Sequence, residues 1–210
     1  SPAPPARNGI LWAGAGAAVA AVVFAGAWLG LRSPAPRLAP MRLSVIPPTG
    51  TTFTPRDITE HPQFALSPEG DRLAVVAGVP GERQKIWIRS FETGAMQPVP
   101  NTDGASGPFW APDGKSLAFQ ADSKLKRVSL DGAAPETLAD QSFDVSTGAW
   151  DSDGVVMFTG GNGGAFVSVP AAGGAPTPVT TLDPKRQETA HRWPQFLPDG
   201  RFIFFVGSTI

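Results

Sequence analysis

Trp110-Ala111-Pro112-Asp113-Gly114 stands just ahead of the apolar run Leu117-Ala118-Phe119. The same order recurs three times. Leu66-Ser67-Pro68-Glu69-Gly70 precedes Leu73-Ala74-Val75-Val76, Trp150-Asp151-Ser152-Asp153-Gly154 precedes Val155-Val156-Met157-Phe158, and Phe196-Leu197-Pro198-Asp199-Gly200 precedes Phe202-Ile203-Phe204-Phe205. Proline presets φ for the second turn position, Asp tolerates the next, and Gly takes the left-handed conformation at least cost, so each quintet predicts a tight turn between two strands. A further strand follows in three units, at Ile86-Trp87-Ile88, at residues 125–130 and at Phe166-Val167-Ser168-Val169. A Gly-containing turn and a short last strand such as Val179-Thr180-Thr181 then close the unit. Four short strands every 40–46 residues or so is the period of a β-propeller blade. A blade buries both faces against its neighbours, which suits strands that are apolar on both sides, and Trp110, Trp150 and Phe196 are expected to pack between blades. From Phe64 to Ile210, about 43 residues per unit gives about 3.4 four-stranded blades, where closed rings have about 4–8. The expected fold is all-β, a partial β-propeller over residues 43–210. Its blades start near 64, 108, 147 and 193, the last is incomplete, and the chain is read as a fragment.

Outward from the repeat, 24 Gly and 23 Pro in 210 residues agree with a turn-rich chain, and 41% hydrophobic residues supply a core. Seventeen basic against 18 acidic residues leave a net charge of −1, so nothing favours a nucleic-acid partner. The absence of cysteine excludes a disulfide framework, a thiolate metal site and a cysteine nucleophile, and two histidines are too few for a His-rich metal centre.

Ahead of the repeat, residues 10–31 carry no charge. As a helix they would span about 33 Å, enough for a hydrocarbon core of about 30 Å. Trp12 and Trp28 lie near the ends, where indoles favour the membrane interface. The expectation is one transmembrane α-helix at 10–31 between Pro-rich linkers at 1–9 and 32–42. Gly26 and Gly30 form a GxxxG pair that lets two helices approach closely, a candidate homodimer contact. The alternative is an export signal cleaved near Ala25-Gly26-Ala27. Arg7 precedes the run while Arg32, Arg37 and Arg42 follow it, a balance that by itself puts the C-terminal side in the cytoplasm.

The repeated turn and strand resemble the TolB-type, WD-like propeller repeat. More narrowly, Leu43-Ser44-Val45-Ile46-Pro47-Pro48, residues 64–77, Ile86-Trp87-Ile88-Arg89, residues 107–113 and Gln187-Glu188-Thr189-Ala190-His191-Arg192-Trp193-Pro194 are similar to a bacterial group in which a serine/threonine protein kinase domain is followed by one membrane helix and a TolB-like propeller. The resemblance implies a kinase upstream in the cytoplasm, single-pass placement in the bacterial inner membrane and an extracytoplasmic propeller, against the local arginine balance. The expected function is then a non-catalytic sensing or protein-interaction module, not an enzyme in itself. A TolB-like periplasmic binding protein and the propeller of a prolyl-oligopeptidase-like hydrolase are the alternatives.

No kinase motif lies in these residues: His191-Arg192 is followed by Trp193 where a catalytic loop needs Asp. No Gly-x-Ser-x-Gly nucleophile elbow occurs either. Asp151-Ser152-Asp153-Gly154 lacks the further ligands of a calcium loop and aligns with the other turns. Gly160-Gly161-Asn162-Gly163-Gly164 reads as a hairpin loop, because no Lys or helix follows to make a phosphate cradle. No catalytic, cofactor or metal residue is therefore expected. The densest polar cluster holds Arg186, Glu188, His191 and Arg192, with Asp183 and Lys185. It is the candidate recognition loop for an unidentified protein or small ligand at the propeller rim.

Overall fold

The computed structural model describes residues 42–53, 63–140, 148–160 and 164–209, and from Ile46 onward the chain forms one unit. All four turn quintets close as expected. The amide of the glycine donates to the carbonyl three residues back in each, Gly70 to Ser67 and Gly114 to Ala111 being representative. The four glycines hold φ between 63° and 82°, the left-handed region where a Cβ would be strained. Side chains fasten the same corners. Ser67 Oγ accepts the Arg72 amide, Asp113 Oδ1 that of Lys115, and Asp199 Oδ1 that of Arg201. Asp151 Oδ1 accepts the amides of Asp153 and Val155, so this carboxylate serves the turn.

Each turn joins the inner and second strands of an antiparallel sheet. The first sheet contains β1 (Thr52–Phe53), β2 (Phe64–Leu66), β3 (Arg72–Gly78), β4 (Lys85–Ser90) and β5 (Met96–Pro98). The second contains β6 (Ser106–Trp110), β7 (Ser116–Ala121), β8 (Lys124–Ser129) and β9 (Glu136–Ala139). The third contains β10 (Gly148–Trp150), β11 (Val155–Thr159), β12 (Phe166–Pro170) and β13 (Thr177–Pro178). The fourth contains β14 (Glu188–Phe196) and β15 (Phe202–Ser208). These are successive propeller blades. In the first, the inner strand is in two pieces: Thr52 and Phe53 pair with Gly78 and Ala77, and Phe64 to Leu66 continue along the same edge of β3. The fourth blade's inner strand begins at Glu188, five residues before the sequence expectation.

Side-chain alternation builds the core. Leu117 and Phe119 on β7 face back to Ala74, Val76 and Ile86 of the first blade. Ala118, between them, faces forward to Val156, Phe158 and Val169 of the third. The inner strand alternates likewise, Trp110 facing back and Phe109 forward. Burial on both faces is what a period of two requires of a strand wedged between neighbours. Trp110 Nε1 donates to the Ala65 carbonyl of the preceding blade at 2.9 Å, and Arg72 lies 5.1 Å from its ring centroid while donating to the Gly114 carbonyl. Gly148 is needed at the next junction, because a Cβ there would overlap the Phe109 ring.

One expectation is corrected. Among the described residues no helix is long and apolar enough to cross a membrane, and the regular elements are strands with one 3-10 turn at Pro184–Arg186. A backbone crossing lipid must satisfy its own hydrogen bonds, and these short strands satisfy theirs within the blades, so the single-pass inner-membrane placement finds no support. The expected helix at 10–31, its Gly26 and Gly30, and the linkers at 1–9 and up to residue 41 lie outside the described residues.

Candidate functional site

The polar cluster singled out in the sequence sits where the third blade meets the fourth, and most of it is strand. Asp183 caps the 3-10 turn, its Oδ1 accepting the Lys185 amide at 2.9 Å. Gln187 then takes a left-handed φ of 52° and turns the chain into β14. Glu188, His191 and Arg192 therefore stand on an inner strand, and Arg186 alone of the four remains on the connection.

His191 is buried. Its Nδ1 lies 2.7 Å from Thr180 Oγ1, and its Nε2 lies 3.2 Å from Glu188 Oε2. The Glu188 carboxylate can only accept, which assigns a proton to Nε2; in the neutral ring Nδ1 then accepts from the Thr180 hydroxyl, whose oxygen also accepts the Phe166 amide at 2.8 Å. Glu188 Oε2 also accepts the Asp183 amide at 2.8 Å, while Oε1 is 3.6 Å from Arg186 Nε. The Asp183 amide, the His191 hydrogen bond and the Arg186 charge hold the Glu188 carboxyl below its ordinary range, against the opposing effect of burial. The His191 backbone is tied too, its amide to the Gly164 carbonyl at 2.7 Å and its carbonyl to Thr159 Oγ1 at 3.3 Å. Phe166 and Phe204 pack on the ring, with centroids at 5.8 and 4.7 Å.

Hydroxyl, imidazole and carboxylate in series can relay protons in general. Here the hydroxyl is engaged on both sides and the imidazole is enclosed, so the series acts as a clasp between blades. Glu188 and His191 turn inward, Arg186 is exposed, and Arg192 is half-buried opposite Phe205. Thr180 was not singled out in the sequence; a lone threonine after a short strand carries no signal of its partner. Beyond Arg192 a bulge puts Trp193 at φ 53°, with its indole exposed and edge-on to Phe205 at 5.4 Å.

A concavity of about 380 Å³ opens between the outer strands of the first two blades, with Ile88, Val99 and Leu130 on its walls and Gln97 and Asp131 as polar groups. The Ala133 amide and Ser129 hydrogen-bond the Asp131 carboxylate and lower its pKa, so its charge is committed to the turn. Among the described residues no group of His, Asp and Glu could hold a metal ion.

No family model matches the chain. Over 106 residues it is 34% identical to the uncharacterized peptidase YuxL of Bacillus subtilis strain 168, covering 44% of this chain and 16% of that protein. The described fold is similar to TolB from Acinetobacter baumannii, with a TM-score of 0.57 and 17% identity over 70% of this chain and 38% of TolB. It is also similar to a puromycin-hydrolyzing peptidase of Mycobacterium tuberculosis, with a TM-score of 0.53 and 18% identity over 76% of this chain and 29% of that one. A puromycin hydrolase aligns with a TM-score of 0.51 and 17% identity over 69% of this chain and 25% of its own. The fold is thus a TolB-like β-propeller of the kind found in TolB and in these peptidases. The chain spans about one sixth of the curated relative's length. None of these proteins is named a kinase. The expectation that the chain is not an enzyme is corrected: the relative sharing sequence identity is named a peptidase, one structural neighbour is named a peptidase and another a puromycin hydrolase, the shared part being partial.

Proposed function

We propose that these residues are the propeller of a prolyl-oligopeptidase-like peptidase whose hydrolysing residues lie elsewhere in the same polypeptide. The 34% identity to a Bacillus peptidase over 106 residues carries this reading, because that length covers more than two blades at about 43 residues each. The likeness in fold to a puromycin-hydrolyzing peptidase and a puromycin hydrolase agrees with it. The substrate class is peptides and peptide-like amides. The propeller's part is steric: a rigid wall of blades restricts which chains reach the hydrolysing residues, and a Ser on a Gly-x-Ser-x-Gly elbow supplies the nucleophile. The test is to express the complete polypeptide, treat it with a fluorophosphonate and assay it on peptide anilides. Labelling at one serine, with anilide cleavage lost on Ser→Ala, is the expected result. A complete reading frame without the elbow, giving protein that neither labels nor cleaves, overturns the reading and leaves a TolB-like binding propeller.

A further inference from the structure

We propose that the concavity between the outer strands of the first two blades binds the side chain of an arginine residue presented by a peptide. The Leu130 carbonyl and the Asp131 carboxylate hold the guanidinium, and Ile88 and Leu130 flank its alkyl stem.

The next junction shows what such a cleft holds. In the first blade Ala74 pairs with Ile88 and Ile88 with Gln97; in the second Ala118 pairs with Arg127 and Arg127 with Glu136. Ile88 is thus the counterpart of Arg127, and Gln97 that of Glu136. Leu130 likewise matches Ala171, their amides going to the carbonyls of Lys115 and Gly154. Between the second and third blades Arg127 fills the space. Its Nη1 donates to the Ala171 carbonyl at 3.0 Å, and its Nη2 pairs with the Glu136 carboxylate. The following turn closes over it, the Gly174 amide donating to the Leu138 carbonyl at 3.0 Å.

Between the first and second blades that plug is missing. Ile88 cannot donate to the Leu130 carbonyl, and Gln97 carries no charge. The turn also stays open, because the Ala133 amide, counterpart of that of Gly174, turns back to Asp131 Oδ1 at 3.0 Å. The space left is about 380 Å³, within the range of about 300–1,000 Å³ that takes small ligands. One carboxylate remains at it, since Asp131 stands where the next turn has Ala172. The cleft has therefore lost the cation of its neighbour and kept an acid, which suits a cation arriving from outside. A carboxylate offers about four lone-pair sites, so Asp131 can serve its turn and still accept from a guanidinium. A planar fork reaches a carbonyl and a carboxylate together, as Arg127 does, where the point charge of lysine does not. Ile88 and Leu130 pack on the apolar core between the blades and offer walls for the methylenes.

The inference is independent of the peptidase reading. It is tested on the complete polypeptide after fluorophosphonate treatment, so that no peptide is cleaved. Acetyl-Ala-Arg-Ala amide and its citrulline counterpart, neutral and of nearly the same shape, are titrated by calorimetry. The arginine peptide is expected to bind at least about 10-fold more tightly, because its hydrogen bonds are charge-assisted. That binding should vanish when Ile88→Arg is combined with Gln97→Glu, which rebuilds the Arg127–Glu136 pair inside the cleft. Equal binding of the two peptides, or none, overturns the proposal, and so does an arginine preference that survives in the double variant. Free arginine displacing the peptide at equal concentration also overturns it, in favour of a small-molecule site. If the double variant misfolds, Asp131→Asn, whose side-chain oxygen can still accept the Ala133 amide, takes its place. It should weaken the arginine peptide at least about 5-fold and leave the citrulline peptide unchanged, and no change in either overturns the proposal.

Discussion

The junction of the first two blades and that of the last two use one register and opposite chemistry. Between the first two, Ala74, Val76 and Ile86 meet Trp110, Leu117 and Phe119 in an apolar wedge with one indole hydrogen bond at its inner end. Between the third and fourth, the centre is a buried imidazole held by Thr180 and Glu188 and clustered with Phe166 and Phe204, which also pack on each other. An apolar wedge tolerates exchange of one aliphatic group for another of similar volume. A hydrogen-bonded series does not, because losing any member strands the others. A repeat therefore conserves its strand register while leaving the filling of each junction free.

The largest expected effect is in the apolar wedge. Phe119→Ala removes a fully buried ring and is expected to destabilise the complete polypeptide by about 3–5 kcal/mol in denaturant unfolding. A loss under about 1 kcal/mol would mean that the wedge does not hold the blades. Gly148→Ala should cost about 1–3 kcal/mol, since the added methyl meets the Phe109 ring, and pairing it with Phe109→Leu should recover part of that loss.

At the polar junction, His191→Phe keeps an aromatic ring beside Phe166 and Phe204 but abolishes both ring hydrogen bonds. A loss of about 1–3 kcal/mol is expected from the stranded Thr180 and Glu188 groups. A variant as stable as the parent would reduce the clasp to ring packing and erase the contrast between the junctions. Acid should weaken this junction. Because the Glu188 carboxyl titrates below its ordinary value of 4.5 in the folded chain, its contribution is complete above that pH and disappears as pH falls through the depressed value. Unfolding curves collected from pH 6 to pH 3 should steepen less in Glu188→Gln than in the parent; identical slopes would remove Glu188 from the account.

The smallest effect belongs to the surface link between the first two blades, where Asp122 accepts from Arg83 and Lys126 and titrates at about 2. Asp122→Asn should shift the unfolding midpoint slightly at low salt and not at all near 1 M NaCl, where exposed pairs are screened. A shift that survives high salt would show the link to be more than a solvated pair.

The repeated Pro-Asp-Gly corners, the two-faced strands and the blade period were legible in the chain because each depends on neighbours within a few residues: glycine's φ, proline's ring, alternation along a strand. The split inner strand of the first blade was not, since Thr52 and Phe53 join β3 only through pairing with Ala77 and Gly78, some two dozen residues on. The residues around His191 stand out in the chain by their density of charge, which by itself suggests a loop. Glu188 and His191 point inward because β14 starts at Glu188, and the register with β15 is set by distant partners and a bulge that local pattern does not encode. Composition and turn chemistry thus specified the repeating unit and its two apolar faces. Which face finds a neighbour, and whether a junction is filled with hydrocarbon or with a clasp such as Thr180, His191 and Glu188, was decided only by stacking. The contacts that link one blade to the next, Thr180 to His191 and Trp110 to Ala65, join residues 11 and 45 positions apart, and their energies depend on burial, which no stretch of sequence possesses until the blades meet.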